Sequence, residues 1–340
     1  MDPQAPPFEL IDLPGVTTPQ CSVVAVDGEP GRIPTLFVHG IIDNVRRWIT
    51  PDDDGGAGLD LPDPTMSPVI FDPHRSRTIA GATVSARFEG AGLLERFARE
   101  GRPAVAFSYQ DRRRPVACMT EALEKLHRVA AWVTSRWPVP RLHLVGHSRG
   151  GLVCRHALLG DSAVMTAADF LGRVDRLITI CTPHLGSSLA GVSVPIKKTL
   201  ARLDGLAAKL AEPTADARAP LEGLRALLEN LSQLTPDSDE VRRAASESLP
   251  PLPGGYFAIA GSVPTFFACE LPVVGRLRIP PPLPGVREFS DGQGDMAVSI
   301  ESALDIPGRT PDRTLVLPVN HVTATYDPAV HEALLEWTAD

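Results

Sequence analysis

The stretch Leu142–Gly151, LHLVGHSRGG, leaves the chain around it few ways to fold. Leu142, Leu144 and Val145 around His143 read as a short buried strand, cut off by Gly-His-Ser-Arg-Gly-Gly. A helix-like run, GLVCRHALLG, follows at once. A strand that turns so abruptly into a helix holds Ser148 on a sharp, strained bend, and such a bend closes only if its neighbours lack a Cβ. Gly146 and Gly150 meet that need. The bend also leaves the first N–H groups of the helix unpaired, so the positive end of its dipole lies beside Ser148.

Composition narrows what such a unit serves. With 340 residues, 43% of them hydrophobic, the chain suffices for one large α/β core with insertions. A net charge of -8 argues against nucleic acid as a partner, since the one dense basic cluster, Arg112 to Arg114, is small. No apolar run reaches the roughly 18 residues of a membrane span, so no transmembrane segment is expected. The N-terminus MDPQAPPFELIDLPG has neither a basic start nor an apolar core, and a cytoplasmic location is the expectation. Five cysteines without C-x-x-C spacing indicate neither a zinc site nor a disulfide framework; no metal and no cofactor are expected. The 34 prolines point to irregular loops, above all Ile279 to Gly285.

In chain order, apolar strands are expected at Ser22 to Val26, Thr35 to Ile41, Ala104 to Tyr109, Leu142 to Val145, Leu177 to Thr182, Tyr256 to Ser262 and TLVLPV near residue 317. Helices are expected at Ala91 to Glu100, Val116 to Trp137, after Ser148, and at Pro328 to Trp337. This alternation predicts an α/β class with a mostly parallel central sheet flanked by helices. One domain is expected over 1–340, with an extended loop insertion at 42–90 and a helical cap or lid insertion at 190–250. The cap is read from leucines spaced for helices, Ile196 to Leu210 and Leu221 to Leu234.

Serine alone is a poor nucleophile near neutral pH; it needs a base, best a histidine, and a carboxylate that fixes the base's tautomer. In a strand–turn–helix hydrolase these follow in the order Ser, Asp or Glu, His, each after a sheet strand. Ser148, Asp295 and His321 stand in that order, and His321 follows the last core strand directly. Asp295 precedes the apolar run MAVSI and is preferred as the acid over Asp291, which sits in a glycine-rich turn. His184, in TPHLGS, is the lesser candidate for the base, and His331 falls inside the terminal helix. For a developing oxyanion, backbone N–H groups of Arg149 and of Ile41, after the VHG strand end, are the expected donors. His39 reads as a brace for that loop, Asn44 as a pocket residue, and Trp48 as either pocket lining or packing.

Taken together, VHGI, GHSRGGL, TPHLGS, LSQLTPDSDEV, GDMAVSIESAL and NHV resemble the bacterial lipase and esterase branch of the α/β-hydrolase superfamily. The resemblance spans about the last 200 residues plus the VHGI loop, and it implies an eight-stranded, mostly parallel sheet and an acyl-ester substrate. In that family Ser148, Asp295 and His321 would be the catalytic triad, with Ile41 and Arg149 at the oxyanion hole. The expected partner is a small-molecule acyl ester or a lipid, with peripheral contact to a lipid surface as a further option. Alternatives are a phospholipid or glycolipid acyl hydrolase or acyltransferase, and a catalytically silent binding protein of the same fold.

Overall fold

The computed structural model describes residues 8–19, 21–41, 43–49, 77–79, 82–84, 92–109, 118–188, 231–264, 267–271, 275–279 and 286–339. Its strands are β1 (Phe8–Ile11), β2 (Val23–Val26), β3 (Thr35–Val38), β4 (Arg77–Ile79), β5 (Ala82–Val84), β6 (Ala104–Phe107), β7 (Leu142–His147), β8 (Val174–Ile180), β9 (Gly255–Gly261), β10 (Phe267–Leu271), β11 (Gly275–Ile279) and β12 (Arg313–Leu317). Among the described residues the helices are α1 (Leu93–Arg99), α2 (Met119–Arg136), α3 (Arg149–Leu159), α4 (Ala167–Arg173), α5 (Asp239–Ser246), α6 (Ile300–Leu304) and α7 (Pro328–Trp337).

Eight strands form one sheet in the order β1-β2-β6-β3-β7-β8-β9-β12. The pairs from β6 through β12 are parallel, and only β1 and β2 run against their neighbours. Parallel strands need crossovers that lay helices on both faces, which is why the strands read as nearly continuous apolar runs. The alternation is visible residue by residue. Val23, Leu36, Val105 and Leu144 face a core shared with α2, α3 and α4, while Val24, Phe37, Ala106 and Val145 face the core under α1 and α7.

Helix α7 occupies the range that its sequence announces. Asp327 accepts from the N–H of Ala329 as the N-cap, and Pro328 stands at the first helical position, where it gives up no hydrogen bond. Regular structure also appears between the core strands. The run after Ser262 contains the antiparallel ribbon β10–β11; Phe267, Cys269 and Leu271 alternate with Ala268 and Glu270, a strand period hidden between prolines. The described part of the expected 42–90 insertion holds the short antiparallel pair β4–β5 and a 3-10 helix at Val45–Trp48, capped by Asn44.

Most of the expected 42–90 insertion, residues 190–230 of the expected 190–250 cap, the Arg112 to Arg114 cluster and residues 280–285 lie outside the described residues. The remainder of the cap region holds α5, whose N-cap Ser238 accepts from the N–H of Val241. No helix among the described residues is long and apolar enough to cross a membrane.

Candidate active site

Three parallel strands deliver the site at their C-terminal ends. Ser148 directly follows β7, the long connection from β9 to the next core strand carries Asp295, and the loop after β12 carries His321. Ser148 has φ 54 and ψ -128, a conformation that non-glycine residues rarely adopt, and it caps α3. The bend is packed too closely for side chains around it: a Cβ on Gly150 would overlap the carbonyl oxygen of Val38. That contact joins the start of α3 to the end of β3, so the β3 loop lies beside Ser148. A Cβ on Gly40 would stand 2.9 Å from the Cβ of Ser148 and 3.4 Å from its Oγ.

Residues far apart in the chain meet here. His321 Nε2 lies 2.9 Å from Ser148 Oγ, and His321 Nδ1 lies 2.8 Å from Asp295 Oδ2. The other carboxylate oxygen of Asp295, Oδ1, accepts from the N–H groups of Ala297 and Val298 at 3.0 and 2.7 Å. With Oδ2 left to the imidazole, the proton belongs on Nδ1, and Nε2 presents its lone pair to the serine hydroxyl. The backbone holds this arrangement as well. The N–H of His321 donates to the Asp295 carbonyl at 3.0 Å, and His147 Nε2–H donates to the His321 carbonyl at 2.9 Å. Burial, aided by the neighbouring His321 and Arg47, holds His147 well below the usual histidine range, so it stays neutral beside the site.

The two acid candidates separate by environment. Asp295 is 1% exposed and touches His321, whereas Asp291 lies exposed in the turn around Gly292. His184 is engaged elsewhere: Arg155 donates to its Nδ1 at 3.1 Å, its Nε2 lies 3.1 Å from Thr179 Oγ1, and burial drives its pKa far down. His331 packs within the terminal region, with Nε2 donating to the Thr325 carbonyl at 2.9 Å. Trp48 is buried against Phe37, at 4.9 Å between ring centroids, which makes it a packing residue. His39 does brace its loop, through Nδ1 and the Gly40 carbonyl at 2.8 Å.

Two features escape the sequence. Cys181, at the end of β8, has φ 51 and a buried thiol; its Sγ, a carboxylate oxygen of Asp295 and a ring nitrogen of His321 all lie within 4.8 Å of one another. These atoms are the metal-type ligands that cluster among the described residues. Within the cluster imidazole and carboxylate bond each other, and burial with the adjacent Asp295 charge pushes the Cys181 thiol well above its ordinary range. It therefore serves as a protonated donor rather than a thiolate ligand. The second feature is Arg149, whose side chain is fully buried and paired with Glu240 of α5 through Nη2 at 2.7 Å and Nε at 3.1 Å. Only the Ser238-Asp239-Glu240 capping pattern at the start of α5 hints at that helix in the sequence.

The architecture has solved counterparts. The chain superposes on the mature form of the lipase BlEst2 from Bacillus licheniformis with a TM-score of 0.51 at 16% identity, covering 94% of this chain and 98% of that one. Against the propeptide form of the same lipase the TM-score is 0.55 at 17% identity, over 95% of this chain and 54% of that one. The fold is that of the α/β-hydrolases. Residues 112–211 of this α/β-hydrolase fold, which include Ser148, match the family described as "Putative serine esterase (DUF676)". No curated protein sequence matches the chain.

Proposed function

We propose that the chain is a serine hydrolase that cleaves carboxylic esters by way of an acyl-enzyme on Ser148. The observation that carries this reading is the unbroken chain of hydrogen bonds Ser148 Oγ, His321, Asp295, at 2.9 and 2.8 Å. It is supported by the strained φ of Ser148 at the head of α3 and by the esterase family that matches around it.

In this mechanism Ser148 Oγ attacks the ester carbonyl while His321 Nε2 takes the hydroxyl proton. Negative charge moves to the carbonyl oxygen, where the backbone N–H of Arg149, at the start of α3, and the N–H of Ile41 receive it. The tetrahedral adduct collapses as the imidazolium returns its proton to the departing alcohol, which leaves the acyl group on Ser148. Water then repeats the sequence, with His321 as its base, and releases the acid. Throughout, Asp295 holds the Nδ1 proton and stabilises the imidazolium without taking the proton itself.

Purified protein is expected to release p-nitrophenol from p-nitrophenyl acetate or butyrate well above the buffer rate, and a series of longer acyl chains measures the reach of the acyl pocket. Folded protein that leaves every member of the series untouched would contradict the reading.

A further inference from the structure

The peptide between Gly40 and Ile41 is gripped from its carbonyl side. His39 Nδ1–H and the Tyr109 hydroxyl both donate to the Gly40 carbonyl oxygen, at 2.8 and 3.2 Å. The tautomer of His39 follows from its other nitrogen, because Nε2 accepts from the N–H of Tyr109 at 3.3 Å. Burial lowers His39 to about 4, so its ring is neutral, and it stacks on Tyr109 with centroids 4.3 Å apart and planes 8° from parallel. A peptide unit is planar and trans, so its C=O and N–H point in opposite directions. A carbonyl anchored on one side therefore aims the Ile41 N–H to the other.

Behind the Tyr109 hydroxyl stands a buried charge. The Arg149 guanidinium lies 5.9 Å from the Tyr109 ring centroid, and Glu240 holds it in place. Burial pushes the Tyr109 phenol up to about 12, which keeps it a donor at every working pH. Hydrogen bonds in series polarise one another in a low-dielectric interior. The guanidinium draws density from the phenol oxygen, the phenol polarises the Gly40 carbonyl, and the amide conjugated to that carbonyl becomes a stronger donor.

We propose that Tyr109, through its hydroxyl bond to the Gly40 carbonyl, is a positioning residue for the Ile41 N–H that receives the negative charge of the tetrahedral adduct. The proposal rests on the serine-hydrolase reading above. It also gives the Arg149–Glu240 pair a purpose beyond packing, since the residue that offers one oxyanion N–H from its backbone supports the other through its side chain.

The test is Tyr109→Phe, which keeps the ring and its stack on His39 and removes one oxygen. Folding is expected to survive, because the Gly40 carbonyl keeps His39 and Arg149 keeps Glu240; a urea unfolding curve on the same preparation checks this. For a p-nitrophenyl ester, kcat is expected to fall about tenfold with KM within about twofold, the pattern of a donor loosened in the transition state alone. Affinity for a trifluoromethyl ketone, whose serine adduct bears the oxyanion, is expected to fall by a matching factor. A kcat within about twofold of wild type overturns the proposal, as does a fall in kcat with unchanged ketone affinity. Ser148→Ala assayed alongside separates the two levels. If it is inactive while Tyr109→Phe is normal, the positioning role alone fails; if it retains wild-type turnover, the underlying reading fails and the proposal with it.

Discussion

Ser148→Ala is expected to lower kcat for a p-nitrophenyl ester by about six orders of magnitude while leaving KM nearly unchanged. The loss is one of mechanism rather than packing. The substitution removes a single oxygen, which bonds His321 Nε2 at 2.9 Å, and leaves the glycines of the bend and the backbone donors in place. Residual turnover is then limited to attack by water beside the same donors, which retains about three orders of magnitude over the uncatalysed rate. Steady-state kinetics with protein free of wild-type contamination reads the loss directly. A fall of less than about a hundredfold would mean that another group supplies the nucleophile.

Asp295→Asn is expected to be the next most damaging change, lowering kcat about ten-thousandfold, or about 5 kcal/mol of transition-state stabilisation. The geometry dictates which way the new amide must face. The oxygen position Oδ1 accepts from the N–H groups of Ala297 and Val298, and turning the amide nitrogen toward them would set donors against donors. The NH2 group is thereby forced toward His321 Nδ1, which must accept rather than donate. The imidazole proton moves to Nε2, where it points at Ser148 Oγ, and the base is lost without any change of shape. The KM of this variant is expected to stay within about threefold of wild type, and its urea midpoint close to it, because both backbone N–H groups keep an oxygen acceptor. A kcat within tenfold of wild type would show that Asp295 does not set the tautomer.

Much of this layout is legible in the residues before any coordinates. Leu142, Leu144 and Val145 carry the strand period, Asp327 and Pro328 mark a helix start, and the order Ser148, Asp295, His321 matches the order in which the strands reach one end of the sheet. Strand β1 is harder to read because it lies at the sheet edge, where Ile11 alone among its residues is buried, so the apolar signal is thin. Helices α4 and α6 are too short to show a helical period, and α5 is announced only by its cap. What the sequence conceals are contacts set by tertiary packing. Tyr109 and Gly40 are 69 residues apart, Arg149 and Glu240 are 91 apart, and neither pair leaves a mark in periodicity or spacing. Likewise, a cysteine at the end of an apolar strand reads as a small hydrophobe until its thiol is found beside the carboxylate of Asp295.

The account stands or falls on whether the Ser148 hydroxyl is activated in the folded protein. A fluorophosphonate reacts with a serine hydroxyl that a neighbouring base can deprotonate, so peptide mapping of the labelled, folded chain reads this activation at a named atom. The account predicts one equivalent of label, carried by the peptide that contains Ser148 and lost when the protein is unfolded in urea before the probe is added. Folded protein that hydrolyses esters yet takes no label, or carries it on a different residue, would contradict it.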